Sequence, residues 1–237
     1  MQKKLNIIAT IKDGIAIALV NYLSLVAAAA LYVVTIWIPY LNVGTTIAMA
    51  SLPAEMAKGN IVNPLFIFKG QYRKNMGEFF ILMSLMYGAI GLGFLFMGIP
   101  GIVLSIAWSF AVVFFVDKDM NALEALRASN DMTYGNKLWI FCTKLVLSIC
   151  LCLVIAIIDA IFGIGNISWL ESIGSIINLV IIIFAVPALY GVDASIYKQL
   201  TSGNILGADA PVAEAPAAPA APAAEAPKAP KAPKAEK

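Results

Sequence analysis

The feature that most limits this chain is residues 15–38, which hold 24 residues without a single Asp, Glu, Lys or Arg. A helix of that length rises about 36 Å, enough to cross the ~30 Å hydrocarbon core of a bilayer. Uncharged runs also cover residues 79–97, 102–116 and 172–192, and residues 138–162 carry only Lys144 and Asp159. In a chain of 237 residues, 61% hydrophobic and 13% charged, one water-soluble core cannot hide this much apolar surface. The expected fold is therefore all-α, a polytopic transmembrane helical bundle.

The same sequence removes several kinds of chemistry. It holds no histidine, which excludes Ser-His-Asp and Cys-His catalysis and His-bearing zinc sites. Cys142, Cys150 and Cys152 lie in one apolar run with no metal-binding spacing; they read as small packed side chains, with palmitoylation of Cys142 the other option. A net charge of +2 gives no bulk signal for nucleic acid. No carboxylate or basic cluster gathers at one depth, so the chain is expected not to be an enzyme and to need no cofactor or metal.

Along the chain, residues 1–14 place Lys3, Lys4 and Lys12 among Leu5, Ile7, Ile8 and Ile11, a basic amphipathic start suited to a membrane surface. Ala27 to Ala30 could mimic a signal-peptide cleavage site, but the apolar run continues past them to Ile38. Pro39 ends that run. Residues 41–57 form the weakest span, with Asn42, Thr45, Thr46 and Pro53, and read either as a crossing or as a re-entrant return. Residues 98–101, Gly-Ile-Pro-Gly, are short enough only for a tight hairpin. Spans over 138–162 and 172–192 complete about six, arranged as three hairpins within residues 1–206. Residues 207–237, rich in Ala, Pro and Lys, read as a disordered tail.

Charge sets the expected orientation. The sixteen basic residues fall at the N-terminal segment, at residues 58–74, at residues 118–144 and from Lys198 onward. The opposite turns contain none, and their only charge is Glu171. By the positive-inside rule this places both ends in the cytoplasm of a plasma (inner) membrane protein. Trp37, Tyr40 and Trp169 would mark the outer interface, and Tyr72, Tyr134, Trp139 and Tyr197 the inner one.

The two inner loops share a pattern. Asn63, Leu65, Lys69 and Gly77 match Asn121, Leu123, Arg127 and Gly135 at an offset of 58 residues. Each loop reads as an interfacial amphipathic helix with a turn into the next span, related by a repeat or by shared membrane-edge composition. In the second, Met120, Leu123 and Leu126 would form the apolar stripe. Around it, Asp117, Ala122, Ala125, Leu126, Arg127, Ser129, Gly135 and Trp139 stand in the order acidic residue, A-x-x-A-L-R-x-S, glycine and aromatic re-entry. This stretch resembles the module of YciC-like bacterial multi-pass inner-membrane proteins. It is similar to the membrane domain fused to some glycerophosphodiester phosphodiesterases, whose catalytic domain is absent here. The resemblance implies a six-helix membrane fold in a bacterial inner membrane and no established activity.

The polar residues of the spans are the remaining candidates. Outside the weak span at residues 41–57, which holds Glu55, Asp159 is the one carboxylate inside an expected span, near its outer end, and reads as interfacial or as ion-coupling. Asn21 and Asn178 read as interhelical hydrogen-bonding groups or as substrate ligands. Ser84 and Gly88, joined on their face by Gly91 and Gly93, with Gly101, Ser105 and Ser109, give the small-residue spacing of close helix packing, within a hairpin or between copies. Arg127 and the tail's Lys228, Lys231 and Lys234, spaced for one edge of a polyproline helix, are candidate lipid or partner contacts. The expected function is a structural, assembly or lipid-organising role through membrane lipid, a homo-oligomer or another membrane protein, with a small-solute transporter or channel as the alternative.

Overall fold

The computed structural model describes residues 4–162, 168–203 and 205–206, and the tail with Lys228, Lys231 and Lys234 lies outside these. The described fold is all-α. Its helices are α1 (Ile7–Val20), α2 (Tyr22–Thr35), α3 (Pro39–Ala57), α4 (Met76–Leu95), α5 (Ile99–Ala107), α6 (Ala111–Asp117), α7 (Ala122–Thr133), α8 (Lys137–Phe162) and α9 (Ser168–Ser202).

The uncharged run 15–38 is not one straight helix. Asn6 caps α1 by accepting from the Ala9 N–H at 3.2 Å, and α1 ends at Asn21, where the axis turns by 73° into α2. The Asn21 amide donates to the Ile17 carbonyl at 3.2 Å and accepts the Val62 N–H at 2.9 Å. A side chain that competes for backbone groups in this way favours a break over continuous helix.

Helices α2 and α3 turn back on each other at residues 36–38, with Pro39 opening α3 where its missing N–H costs nothing. Thr35 and Thr45 bond at 2.9 Å and Tyr32 and Thr46 at 3.1 Å, which fixes the antiparallel register. Helix α3 is enclosed along much of its length, burying Gly44, Ile47, Ala48, Leu52 and Met56 among others. Surrounded by protein, it can carry polar residues that lipid would not tolerate, which accounts for its weak apolar signal.

The loop at residues 58–75 does not form the expected amphipathic helix. It winds into two 3₁₀ turns, Pro64–Phe68 and Gly70–Arg73. Pro64 and Gly70 confine each turn to five residues or fewer, and Phe66, Ile67 and Tyr72 drop into the core. Gly77 lies within α4, whereas Gly135 holds a left-handed turn at φ +79°, so the two matched glycines do different work.

Helices α4 and α5 form a hairpin closed by Met97 and Gly98, both with positive φ. A Cβ built on Gly93 would stand 2.7 Å from the Gly101 nitrogen. Residues 102–116, expected as one run, are interrupted at Trp108–Phe110. Helix α7 starts with a capping box between Asn121 and Glu124. Its packed face is Ala122, Ala125, Leu126, Ser129 and Thr133, while Leu123 is exposed. The small residues let α7 lie close against the interrupted segment; of the expected Met120, Leu123 and Leu126 stripe, Leu126 is buried and Met120 packs against the core, while Leu123 faces outward. Helices α8 and α9 pair antiparallel through Phe162–Gly174, Asp159–Asn178 and Lys144–Asp193.

Among the described residues, Met76–Leu95, Ile99–Asp117, Lys137–Phe162 and Ser172–Ser202 are long and apolar enough to cross a membrane. The bent α1–α2 pair adds a fifth span if it counts as one broken crossing.

Candidate functional site

The charged residues meet at one end of the helices, where α3, α6 and α9 come together. The Lys58 ammonium, at the end of α3, pairs with Asp117 at the end of α6 and with Glu55 at 3.1 Å. Asp117 also accepts the Tyr197 hydroxyl at 2.7 Å, and its side chain is only 6% exposed. The Tyr197 ring packs edge-on to Phe114 at 5.5 Å. Hydrogen bonding to Asp117, against some loss of hydration, holds the Lys58 ammonium above the ordinary lysine range. A cavity of about 210 Å³ opens beside the pair, lined among others by Ser51, Glu55, Gln71 and Tyr72.

A second polar network joins α1 to α9. The Ser195 hydroxyl donates to Asp13 at 2.7 Å, and the Gln199 amide donates to Thr10 at 3.1 Å and to Ser195 at 3.0 Å. The Gln199 carbonyl oxygen accepts the Leu206 N–H at 3.1 Å. The helices can approach this closely because both sides are glycine at the crossing. A Cβ on Gly14 would stand 2.6 Å from the Val192 Cα, and one on Gly191 would overlap the Gly14 carbonyl.

Helix α7 closes the break between α5 and α6. The Ser129 hydroxyl donates to the Ala107 carbonyl at 2.7 Å and accepts the Phe110 N–H at 3.2 Å, and Thr133 reaches the same carbonyl at 3.4 Å. Both backbone groups would otherwise be buried and unpaired, a costly arrangement away from water. The Leu5 N–H is accepted by Asn136 at 3.1 Å, and Lys4 lies 5.9 Å from the centre of the Trp139 ring. Ala122, Ala125 and Ser129 are buried in the packed face of α7, Gly135 turns the chain toward α8, and Trp139 lies on α8 beside Lys4.

The other sequence candidates fall apart from one another. Asn21 is buried at the α1–α2 bend. Asp159 accepts from the Asn178 amide at 2.6 Å toward the Phe162 end of the α8–α9 pair, and the Asn178 Oδ1 has no partner among the described residues. From Lys144–Asp193 to this pair is 15 residues along each helix, a rise of about 22 Å. Gly101 is buried at the α4–α5 turn, whereas Ser84, Gly88 and Gly91 are exposed, and Ser105 and Ser109 bond back to the carbonyls of Ile102 and Ile106. Arg127 is exposed. No group of three or more His, Cys, Asp or Glu among the described residues is placed to hold a metal.

Sequence reasoning passed over Lys58–Asp117–Tyr197 and Asp13–Ser195–Gln199. It also missed Asp193, because hydropathy ends the last apolar run at Val192 while α9 continues to Ser202. The available signal was glycine beside acid, Asp13-Gly14 and Gly191-Val192-Asp193. A further groove of about 260 Å³ runs between α4 and α9 and includes Asp193 in its lining. Comparison with protein-family models, curated proteins and solved structures finds no match.

Proposed function

We propose that this chain is a non-catalytic multi-pass protein of a bacterial inner membrane that organises lipid and neighbouring membrane proteins, as its YciC-like resemblance suggests. In this reading α1 through α9 cross six times, counting α2 and α3, and both ends and the loops at residues 58–78 and 118–137 face the cytoplasm. The reading is carried by how its polar groups are used. Asp13, Thr10, Ser129, Asp117, Ser195 and Gln199 bond inward and hold helices together. The long helices turn apolar side chains outward, and α8 buries only Ile140 and Thr143 of its 26 residues. An exterior of this kind meets lipid or other transmembrane helices.

Extraction from the native membrane into polymer-bounded nanodiscs, followed by mass measurement, tests this. A defined oligomer or a stoichiometric membrane-protein partner is expected. A lone chain with no retained neighbour would contradict the organising role.

A transporter or channel is the second reading, favoured by the interruptions at Asn21 and at Trp108–Phe110 and by Pro53 within α3, since discontinuous helices often surround solute sites. The carbonyl freed at Ala107 is already taken up by Ser129 and Thr133, which leaves it no free valence toward a solute. Solute flux in vesicles that disappears in Asp159→Asn, with expression intact, would favour this second reading.

A further inference from the structure

Helix α8 buries only Ile140 and Thr143, both in its first two turns. From Lys144 to Phe162 none of its residues is buried, and along residues 172–183 of α9 only Gly174 is. Ile149, Leu153, Ile157 and Ile161 turn outward from α8. Ser148, Cys152, Ala156 and Ala160 recur every fourth residue and are all exposed, a spacing that lets a further helix come close. Asp159 is exposed as well, and around the helix it falls between Ser148 and Cys152. Among the described residues its carboxylate has one hydrogen bond, from Asn178 at 2.6 Å, and no ion pair. The spans have no cation to offer it. Residues 13–57, 75–117 and 145–197 hold no Lys or Arg, and Lys144, about 22 Å away along the helix, is already paired with Asp193.

We propose that this face of α8 docks a transmembrane helix of a different protein, one that carries a lysine or arginine at the depth of Asp159. The proposal rests on the organising role and names the kind of neighbour it engages. Charge selects the occupant. A carboxylate on an apolar helix is costly unless matched, and a basic side chain opposite supplies the charge-assisted donors that Asp159 lacks. Hydrocarbon chains supply none. A second copy shares the orientation of the first in the bilayer, so a two-fold contact through this face would set Asp159 against Asp159, like charges with no cation between them. The small side chains of Ser148, Cys152 and Ala156 leave the partner's backbone room to bring its cation within reach.

The test is energy transfer in vesicles of phosphatidylethanolamine and phosphatidylglycerol, between the donor-labelled full chain and acceptor-labelled synthetic helices of leucine and alanine. One helix carries a lysine at the depth of Asp159, one carries it at the depth of Lys144, and one has none. The first is expected to reach half-maximal transfer at about one tenth of the concentration the others need, a difference of ~1.4 kcal/mol. Asp159→Asn should abolish that advantage, and Asp159→Lys should pass it to a helix carrying aspartate at the same depth. Equal transfer with all three helices, as when headgroup ammonium groups already serve Asp159, would overturn the proposal. So would an equal advantage for either lysine position, an advantage that survives in Asp159→Asn, or a dimer of the chain through α8 that excludes the helix. A native neighbour in nanodiscs with no lysine preference in vesicles refutes this docking face alone. The lysine preference without any native neighbour refutes the organising role alone.

Discussion

At the scale of single residues, the hydroxyl of Ser129 has the clearest predicted effect. Ser129→Ala leaves the Phe110 N–H without its acceptor and the Ala107 carbonyl with only the longer bond from Thr133. A buried group left unpaired costs about 1–3 kcal/mol, and chemical unfolding in detergent should show a loss of that order. Arg127→Ala, two residues away on the exposed face, should stay within about 0.5 kcal/mol of the parent. Lys58 gives a pH test. Its folded pKa lies above the usual lysine value of 10.5. Its share of stability is therefore complete below pH 10.5 and fades as pH rises through the folded value. That share is screened, because the Lys58 side chain is 48% exposed. Melting temperature measured from pH 8 to pH 12 should fall more steeply in the parent than in Lys58→Met, and parallel curves would dismiss the pair as a stabilising element.

At the scale of elements, the close crossing of α1 and α9 sets the strongest expectation. Gly191→Ala puts a methyl into the Gly14 carbonyl, and overpacking of that kind costs about 1–3 kcal/mol or more. Gly88→Ala has open space around it, and alanine there should raise stability by roughly 0.5–1 kcal/mol through helix propensity. Both are read from the same unfolding curves. This contrast also shows what was legible in advance. Uncharged runs and turn residues located α4, α8, the Gly98 hairpin and the start of α3, because each depends on local composition. The bend at Asn21 was not legible, since its partner Val62 is 41 residues away and an asparagine facing a neighbouring helix looks the same in sequence. The interruption at Trp108–Phe110 depends on Ser129 and Thr133, which a window over residues 102–116 does not include. Small-residue spacing pointed to Gly88, Gly91 and Gly93 together, and only the hairpin register decides that Gly93 is the one that meets Gly101.

At the scale of the whole molecule, charge and hydropathy divide the chain into two ends. The hairpin turns at residues 36–38 and 96–98 carry no charge and expose Trp37, Phe96 and Met97. At the opposite end Lys58 pairs with Asp117 and Lys144 with Asp193, and Asp13 accepts from the Ser195 hydroxyl, which ties α1, α3, α6, α8 and α9 together. This division was readable from the basic residues alone, but the internal pairing that gathers them was not, because Lys58 and Asp117 are 59 residues apart in sequence. The organising role depends on this two-ended arrangement lying across a bilayer. The measurement that tests it most directly is cysteine labelling in intact cells, with Cys142, Cys150 and Cys152 replaced by serine and single cysteines placed at Trp37, Phe96 and Glu124. A membrane-impermeant maleimide should reach the cysteines of Trp37→Cys and Phe96→Cys from outside and that of Glu124→Cys only after permeabilisation. Labelling of Glu124→Cys from outside, or of Trp37→Cys only from within, would contradict the account.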